Sequence, residues 1–294
     1  MINFRIITDS SSGISQQEAK ELGVIVLPLT LSYKGHDYKD GIDISTNDFY
    51  KLFFEEEEKS LNLFKKPEFP KTSQVAPIDF LNCFKEIINN GEIPVVLPIS
   101  SVLSGTYQSA CIAKSMLDND NVYVVDSNSA LGSVKLMIES LASKQFETIE
   151  ELLKEIEYMK SHLNFYAVPD TLEFLYKGGR LSKTSALVGN LLQLKPIIQL
   201  DKTGKLIPIE KVRGLKHAYK KIHDLLLEFP IDKNYPFGLG YSTKEENILS
   251  LRSIISDTLP NEVKPHQISA VVGAHVEPGA SAIFYISTKK VDKY

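Results

Sequence analysis

Cysteine is scarce in this chain, and so is surplus charge. The 294 residues include two cysteines and carry a formal net charge of −4, which withholds the electrostatic footprint of a nucleic-acid partner. Cys83 and Cys111 stand in apolar helical surroundings at no metal-ligand spacing, so the expectation is free thiols in a reducing cytoplasm, with no metal centre and no cofactor. No apolar run approaches the ~20 residues that span a bilayer, which predicts no integral membrane segment. The N-terminus, Met1-Ile-Asn-Phe-Arg-Ile-Ile-Thr-Asp9, becomes strand-like without a basic leader or a cleavage site, so an unprocessed cytoplasmic protein is expected. Two chemical signatures are missing as well. There is neither a Gly-x-Gly-x-x-Gly dinucleotide fingerprint nor a Gly-x-Ser-x-Gly nucleophile elbow.

What is present is ordinary in bulk and specific in pattern. At 43% hydrophobic and 24% charged residues the chain is a soluble globular type, and at ~100 to 200 residues per domain its length predicts two domains. In the first half, strands over 4–8, 24–31, 93–97 and 122–125 alternate with helices over 15–22, 77–89, 131–145 and 149–163. A hairpin or loop over 33–44 and a helix capped by Thr46 or Asn47, with 55–58 as a solvated acidic face, lie between them. Such alternation predicts a doubly wound parallel sheet, whose ligands bind beyond the carboxyl ends of its strands. From about residue 164 the texture changes: strands over 165–168, 195–200, 206–212, 237–242, 267–273 and 281–287 are interspersed with helices, including an apolar one over 185–194. The expected architecture is α/β in two domains. Residues 1–163 form the doubly wound one and 164–294 an α/β domain with a mixed or antiparallel sheet.

Strands of the first half end in hydroxyl-rich turns: Asp9-Ser-Ser-Ser-Gly13, Asp126-Ser-Asn-Ser129 and, most fully, Pro98-Ile-Ser-Ser-Val-Leu-Ser-Gly-Thr-Tyr-Gln-Ser-Ala110. The last reads as strand, turn and helix. The first N–H groups of a helix lack intrahelical acceptors and the positive end of its dipole lies there, so Ser104, Gly105 and Thr106 stand where an anion is welcome. The plainer account makes Ser104 simply the N-cap. Arg180 likewise reads as a surface turn residue, His275 as a structural histidine, and Leu187, Val188, Leu191, Leu192 and Leu194 as core or as the wall of a tunnel. Periodicity does not separate these alternatives.

Taken together, the strings Thr72-Ser-Gln74, Ile99-Ser-Ser-Val-Leu-Ser-Gly-Thr-Tyr-Gln-Ser-Ala110, Asp170-Thr-Leu-Glu173, Lys177-Gly-Gly-Arg180, Lys195-Pro-Ile197, Lys211-Val-Arg-Gly214 and His275-Val-Glu-Pro-Gly-Ala280 closely resemble the DegV family. The resemblance runs from Ile7-Thr-Asp-Ser10 to the C-terminal segment. It implies a long-chain fatty acid bound between two α/β domains, the protein serving as the lipid-carrying subunit of a bacterial fatty acid kinase and presenting the carboxylate to a separate ATP-binding partner. Residue by residue, it places Thr72 and Ser104 as hydroxyl donors to the carboxylate, with Arg180 and His275 near the same head group. Ser73, Gly105 and Thr106 complete the head-group loops, and Arg213 lies on the face that meets the kinase. The sequence departs from the family pattern at Val75-Ala76 and at Glu277, beside Thr72 and His275 without replacing either.

A carrier is therefore the first expectation. A second class makes Ser104 the nucleophile and His275 the general base of an acyl-transfer or hydrolase site, although no acid is singled out to orient the histidine. A third is a lipid-binding sensor that regulates another protein. Chain length and branching are not written in these residues.

Overall fold

The computed structural model describes residues 1–59, 69–117, 119–181, 194–260, 263–276 and 278–291. It begins with β1 (Phe4–Asp9), a 3-10 turn (Ser10–Ser12) and α1 (Gln16–Leu22). Ser15 and Glu18 form a reciprocal capping box at the start of α1, and Gly23 ends it with a φ of 67°. The apolar run 24–31, expected as one strand, is cut at Pro28 into β2 (Ile25–Leu27) and β3 (Thr30–Tyr33), which join different sheets. Proline has no N–H to give a ladder, so the chain changes partners there. Lys34 and Gly35, both at positive φ, turn β3 into β4 (His36–Lys39), the two-residue geometry that hairpins favour. In α2 (Thr46–Lys59) the cap is Ser45 rather than Thr46 or Asn47, since the Ser45 hydroxyl accepts the Asp48 N–H at 3.1 Å. The side chains of 55–58 lie outside the described set.

Then come β5 (Lys71–Ser73), α3 (Pro77–Asn89), β6 (Ile93–Val96), α4 (Thr106–Ser115), β7 (Tyr123–Val124), α5 (Gly132–Ala142) and α6 (Ile149–His162). The chain continues through β8 (Leu163–Val168), α7 (Glu173–Lys177), β9 (Leu194–Leu200), β10 (Leu206–Arg213), α8 (Leu215–Glu228), β11 (Phe237–Tyr241), α9 (Glu245–Ile254), β12 (His266–Gln267), α10 (Ala270–Val276) and β13 (Ser281–Ile286). The apolar helix expected over 185–194 falls outside the described residues except for Leu194, which opens a strand. Two further expectations are corrected. Ser73 and Thr106, expected in head-group loops, end β5 and open α4, and 267–273 is no strand: β12 stops at Gln267 and α10 takes over.

A parallel sheet in the order β2-β1-β6-β7 meets the doubly wound expectation, and a six-stranded mixed sheet runs β10-β9-β8-β13-β11-β12. A small antiparallel sheet, β4-β3-β5, contains a hairpin turn within the 33–44 stretch expected as a hairpin or loop, while its third strand, β5, was not foreseen. β8 and β13 are buried at every position, as central strands covered on both faces must be. One core lies between the parallel sheet and the helices α5 and α6, including Val95, Met137, Leu141, Leu152 and Ile156. Another joins the six-stranded sheet to α8 and α9 through Tyr219, Ile222, Leu239, Ile248 and Ile283. The halves interleave: α5 packs on β11 and β13, while α10 packs on α2, β3 and β5. Among the described residues, no helix is long and apolar enough to cross a membrane.

Candidate functional site

In the parallel sheet the chain leaves β1 first toward β2 and later returns on the other side as β6, so the connections diverge between β1 and β6. Open α/β sheets bind ligands at such a switch point. Asp9 ties its two loops together. One carboxylate oxygen accepts from the Ser11 N–H and hydroxyl, the other from the Ile99 N–H at 2.8 Å. Burial pushes the Asp9 carboxyl up, against the pull of those hydrogen bonds. Both loops are therefore fixed before any ligand arrives.

The turn after β6 closes with the Ser104 N–H donating to Ser100 O at 3.1 Å. The N-cap of α4 is Gly105, one residue beyond the position expected from sequence. Ser104 nevertheless serves the helix end: its Oγ accepts the Thr106 N–H at 3.3 Å and pairs with Thr106 Oγ1 at 2.9 Å. Gly105 also leaves room for Gln74. A Cβ there would stand 1.8 Å from Gln74 Oε1, and Gln74 is itself held by donating to Ser109 Oγ at 2.7 Å.

Thr72 projects from β5 and His275 from α10, and Thr72 Oγ1 lies 2.7 Å from His275 Nε2. The helix explains how they meet. An apolar run as short as 268–272 fits strand or helix equally by pattern, but here Gly273 N–H donates to Ser269 O and a Cβ on Gly273 would stand 2.2 Å from the Tyr50 hydroxyl. Close seating on α2 thus selects the helix, and the helix sets Val271, Val272, His275 and Val276 on one face. His275 Nδ1 is buried without a partner. Burial first, and the Arg180 charge second, push the imidazole down to about 4, so it is neutral at pH 7.

Arg180 follows Gly178 and Gly179, the latter at a φ of 74°. Its Nε donates to Leu103 O at 3.1 Å and its Nη1 to Gly178 O at 2.5 Å, which pins the guanidinium between α7 and the turn after β6. Gly178 allows the imidazole in: a Cβ there would lie 2.4 Å from His275 Nδ1 and 2.9 Å from Phe174 O. Gly178→Ala should therefore move His275 off Thr72 and cost about 1–3 kcal/mol by overpacking. Urea unfolding together with the histidine NMR resonances checks this; an unmoved His275 signal would contradict it.

These groups converge on a cavity of about 460 Å³, within the size range of small-molecule pockets. Thr72, Ser73, Ser104, Gly105, Arg180 and His275 all line it. Thr106 is fully buried behind Ser104, and Arg213 stands apart at the exposed end of β10. The remaining wall is largely hydrocarbon: Leu29, Leu131, Phe165, Ile198, Leu206 and Val272 among others. Arg180 is the one charged group among the described lining residues, and burial lowers its pKa. A single half-buried cation beside hydroxyls, at a largely apolar cavity, fits an amphiphile with one anionic head.

Sequence reasoning missed Gln74, which shares the Thr-Ser-Gln string, and Ser11, which lies in the first hydroxyl turn. It also missed Leu131, whose φ of 59° and ψ of −151° place it where glycine is usual, at a cost of about 1–3 kcal/mol. No local sequence signal marks it. Ser104 and His275 bond to Thr106 and Thr72 respectively, and among the described residues no acid orients His275 Nδ1, so these residues do not form the nucleophile–base–acid arrangement of an acyl-transfer site. Both cysteines are free; Cys83 is buried, with its thiol pushed up to about 12 by burial and then by Glu86, whereas Cys111 is only half-buried. Of the departures from the family pattern, Val75 is core and Ala76 caps α3, while Glu277 lies outside the described residues.

A sequence profile described as uncharacterised protein, DegV family, matches residues 3–288. A DegV domain-containing protein of Caldanaerobacter subterraneus is 32% identical over 289 residues, which cover 97% of this chain and 99% of that protein. Protein DegV of Bacillus subtilis is 31% identical over 288 residues, covering 96% and 98%. Among solved structures, a DegV family protein from Thermus thermophilus, described for its fatty acid binding, superposes with a TM-score of 0.85 at 28% identity, covering 97% of this chain and 100% of that one. DegV of Bacillus subtilis, described as a fatty acid binding protein, gives a TM-score of 0.82 at 28% identity, with coverage of 98% and 100%.

Proposed function

The chain belongs to the DegV family, and from that premise we propose that it binds a long-chain fatty acid in the cavity between its parallel and six-stranded sheets. The observation that carries the reading is the single half-buried cation, Arg180, set among Thr72, Ser104 and His275 at a cavity walled largely by apolar side chains. Residues 1–163 and 164–294 act as the two walls of the binding unit, with α10 reaching across to bring His275 to Thr72.

A buried carboxylate is costly unless hydrogen-bonded, and each donor to a charged group contributes about 1.5–3 kcal/mol. Thr72 has one hydroxyl hydrogen. To give it to the carboxylate, its oxygen must accept from His275 Nε2–H, so the neutral imidazole orients Thr72 while Ser104 and Arg180 supply further donors. Ser73 at the end of β5, and Gly105 and Thr106 at the start of α4, flank these groups. A chain of about fifteen methylenes adds on the order of 0.8 kcal/mol apiece, roughly 12 kcal/mol before ordering costs. The tail therefore dominates affinity and the head group dominates orientation.

In the finer reading, the protein carries the acid without reacting it and presents the carboxylate to a cytoplasmic ATP-dependent fatty acid kinase subunit, which forms the acyl phosphate. Arg213, exposed at the end of β10, belongs to the docking face. Solvent extraction of the purified protein followed by mass spectrometry tests the binding step: near-stoichiometric fatty acid is expected, and a protein that stays empty when offered palmitate or oleate refutes it. Arg213→Ala should lower acyl phosphate formation with the kinase subunit while leaving fatty acid content unchanged.

A further inference from the structure

We propose that Leu131 sets the length of acyl chain the cavity accepts, an inference that rests on the fatty acid reading above. Leu131 adopts φ 59° and ψ −151°, a conformation in which glycine meets no steric cost and leucine does. The fold forces it there. Ser100 N–H donates to Ser129 O at 2.8 Å, Ser129 and Ser133 hydroxyls share a hydrogen bond at 2.5 Å, and the Ser133 hydroxyl donates to Ala130 O. Ser127, Ser129 and Ser133 are all fully buried. On the other flank Gly132 is wedged so closely that a Cβ would stand 2.3 Å from the Phe284 ring and 2.8 Å from His266 Nε2.

Backbone on both sides is thus fixed, and the direction of the Leu131 side chain is fixed with it. That side chain lines the cavity beside Ala130, with Phe165, Ala167 and Ile198 of the six-stranded sheet in the same apolar cluster. Ala130 and Ala167 leave room where Leu131 takes it. The only groups a leucine adds at this position, relative to the glycine that the backbone favours, are the hydrocarbon atoms that face the acyl chain and its cluster. Leu131 is therefore a specificity-determining residue. It acts on the tail, and the head-group residues do not depend on it.

The test loads wild type, Leu131→Ala, Leu131→Gly and Leu131→Phe with an equimolar mixture of laurate, myristate, palmitate, stearate and arachidate, then extracts and quantifies what each retains. At about fourfold in affinity per newly buried methylene, the stearate-to-myristate ratio should rise at least about tenfold in Leu131→Gly and Leu131→Ala and fall in Leu131→Phe. Leu131→Gly should also melt no lower than Leu131→Ala, because it sheds the backbone strain. The same distribution in all four proteins overturns the proposal and leaves Leu131 as core packing. Wild type that retains none of the acids refutes the fatty acid reading itself, so the two failures are told apart.

Discussion

Arg180→Ala is expected to weaken fatty acid retention by about ten- to a hundredfold, the worth of one charge-assisted hydrogen bond to a buried carboxylate. The expectation follows from isolation. Arg180 is the one charge among the described residues of the cavity wall, so no second cation takes over. Burial already lowers its pKa, which means that the empty site holds a partly desolvated cation and a bound carboxylate relieves it. Arg180→Lys should recover part of the loss, since the charge returns without the fork that reaches Leu103 O and Gly178 O together. Titration calorimetry with palmitate reads the effect. Unchanged affinity in Arg180→Ala would place the head group elsewhere.

Asp40→Asn should markedly change how stability depends on pH. Asp40 is 2% exposed and follows β4 into the space beneath the first residues of α10. Burial pushes its carboxyl up to about 7, the Asp9 charge adds to this, and the Ser10 hydroxyl and the backbone of Val271 and Ala270 pull the other way. Among the described residues, no donor meets either oxygen at full hydrogen-bonding geometry. An unfolded aspartate titrates near 3.9, so the folded protein holds the extra proton between about pH 4 and pH 7, and this contribution to stability is lost as pH rises through 7. Three pH units at 1.36 kcal/mol each make roughly 4 kcal/mol. Asn cannot ionise, so Asp40→Asn should gain on wild type by that order between pH 4 and pH 8. Parallel stability–pH curves from urea unfolding would show that Asp40 is not held neutral.

The two predictions meet in α10, and α10 is also where the sequence was least legible. Alternating apolar strands and helices disclosed the parallel sheet, and the Asp201-Lys-Thr-Gly204 turn disclosed the β9–β10 hairpin. The residues 267–273 read as a strand because their β-branched run satisfies either period. What decides for the helix is the close contact of Gly273 with Tyr50, two residues far apart in sequence. The third strand of the small β4-β3-β5 sheet escaped for a related reason. That strand, Lys71–Ser73, has three residues and owes its conformation to pairing with β3 rather than to its own propensity.

For the site, the hydroxyl turns and the Gly-Gly-Arg string were visible as chemistry, and only the fold brings them together. Thr72 and His275 are separated by 203 positions, a distance no spacing argument spans. Ser104 was placed at the right helix end but one residue off in role, because Gly105 under Gln74 takes the cap position. Leu131 left no trace at all, since a leucine in a glycine conformation looks like any other leucine until the backbone is known.

The most direct test of the account is a crystal structure of the protein saturated with palmitate. The carboxylate is expected within hydrogen-bonding distance of Thr72 Oγ1, Ser104 Oγ and the Arg180 guanidinium, with His275 Nε2 still on Thr72 and the methylene chain running past Phe165 to end against Leu131. A carboxylate at the Leu131 end of the cavity, or a cavity without palmitate, would contradict it.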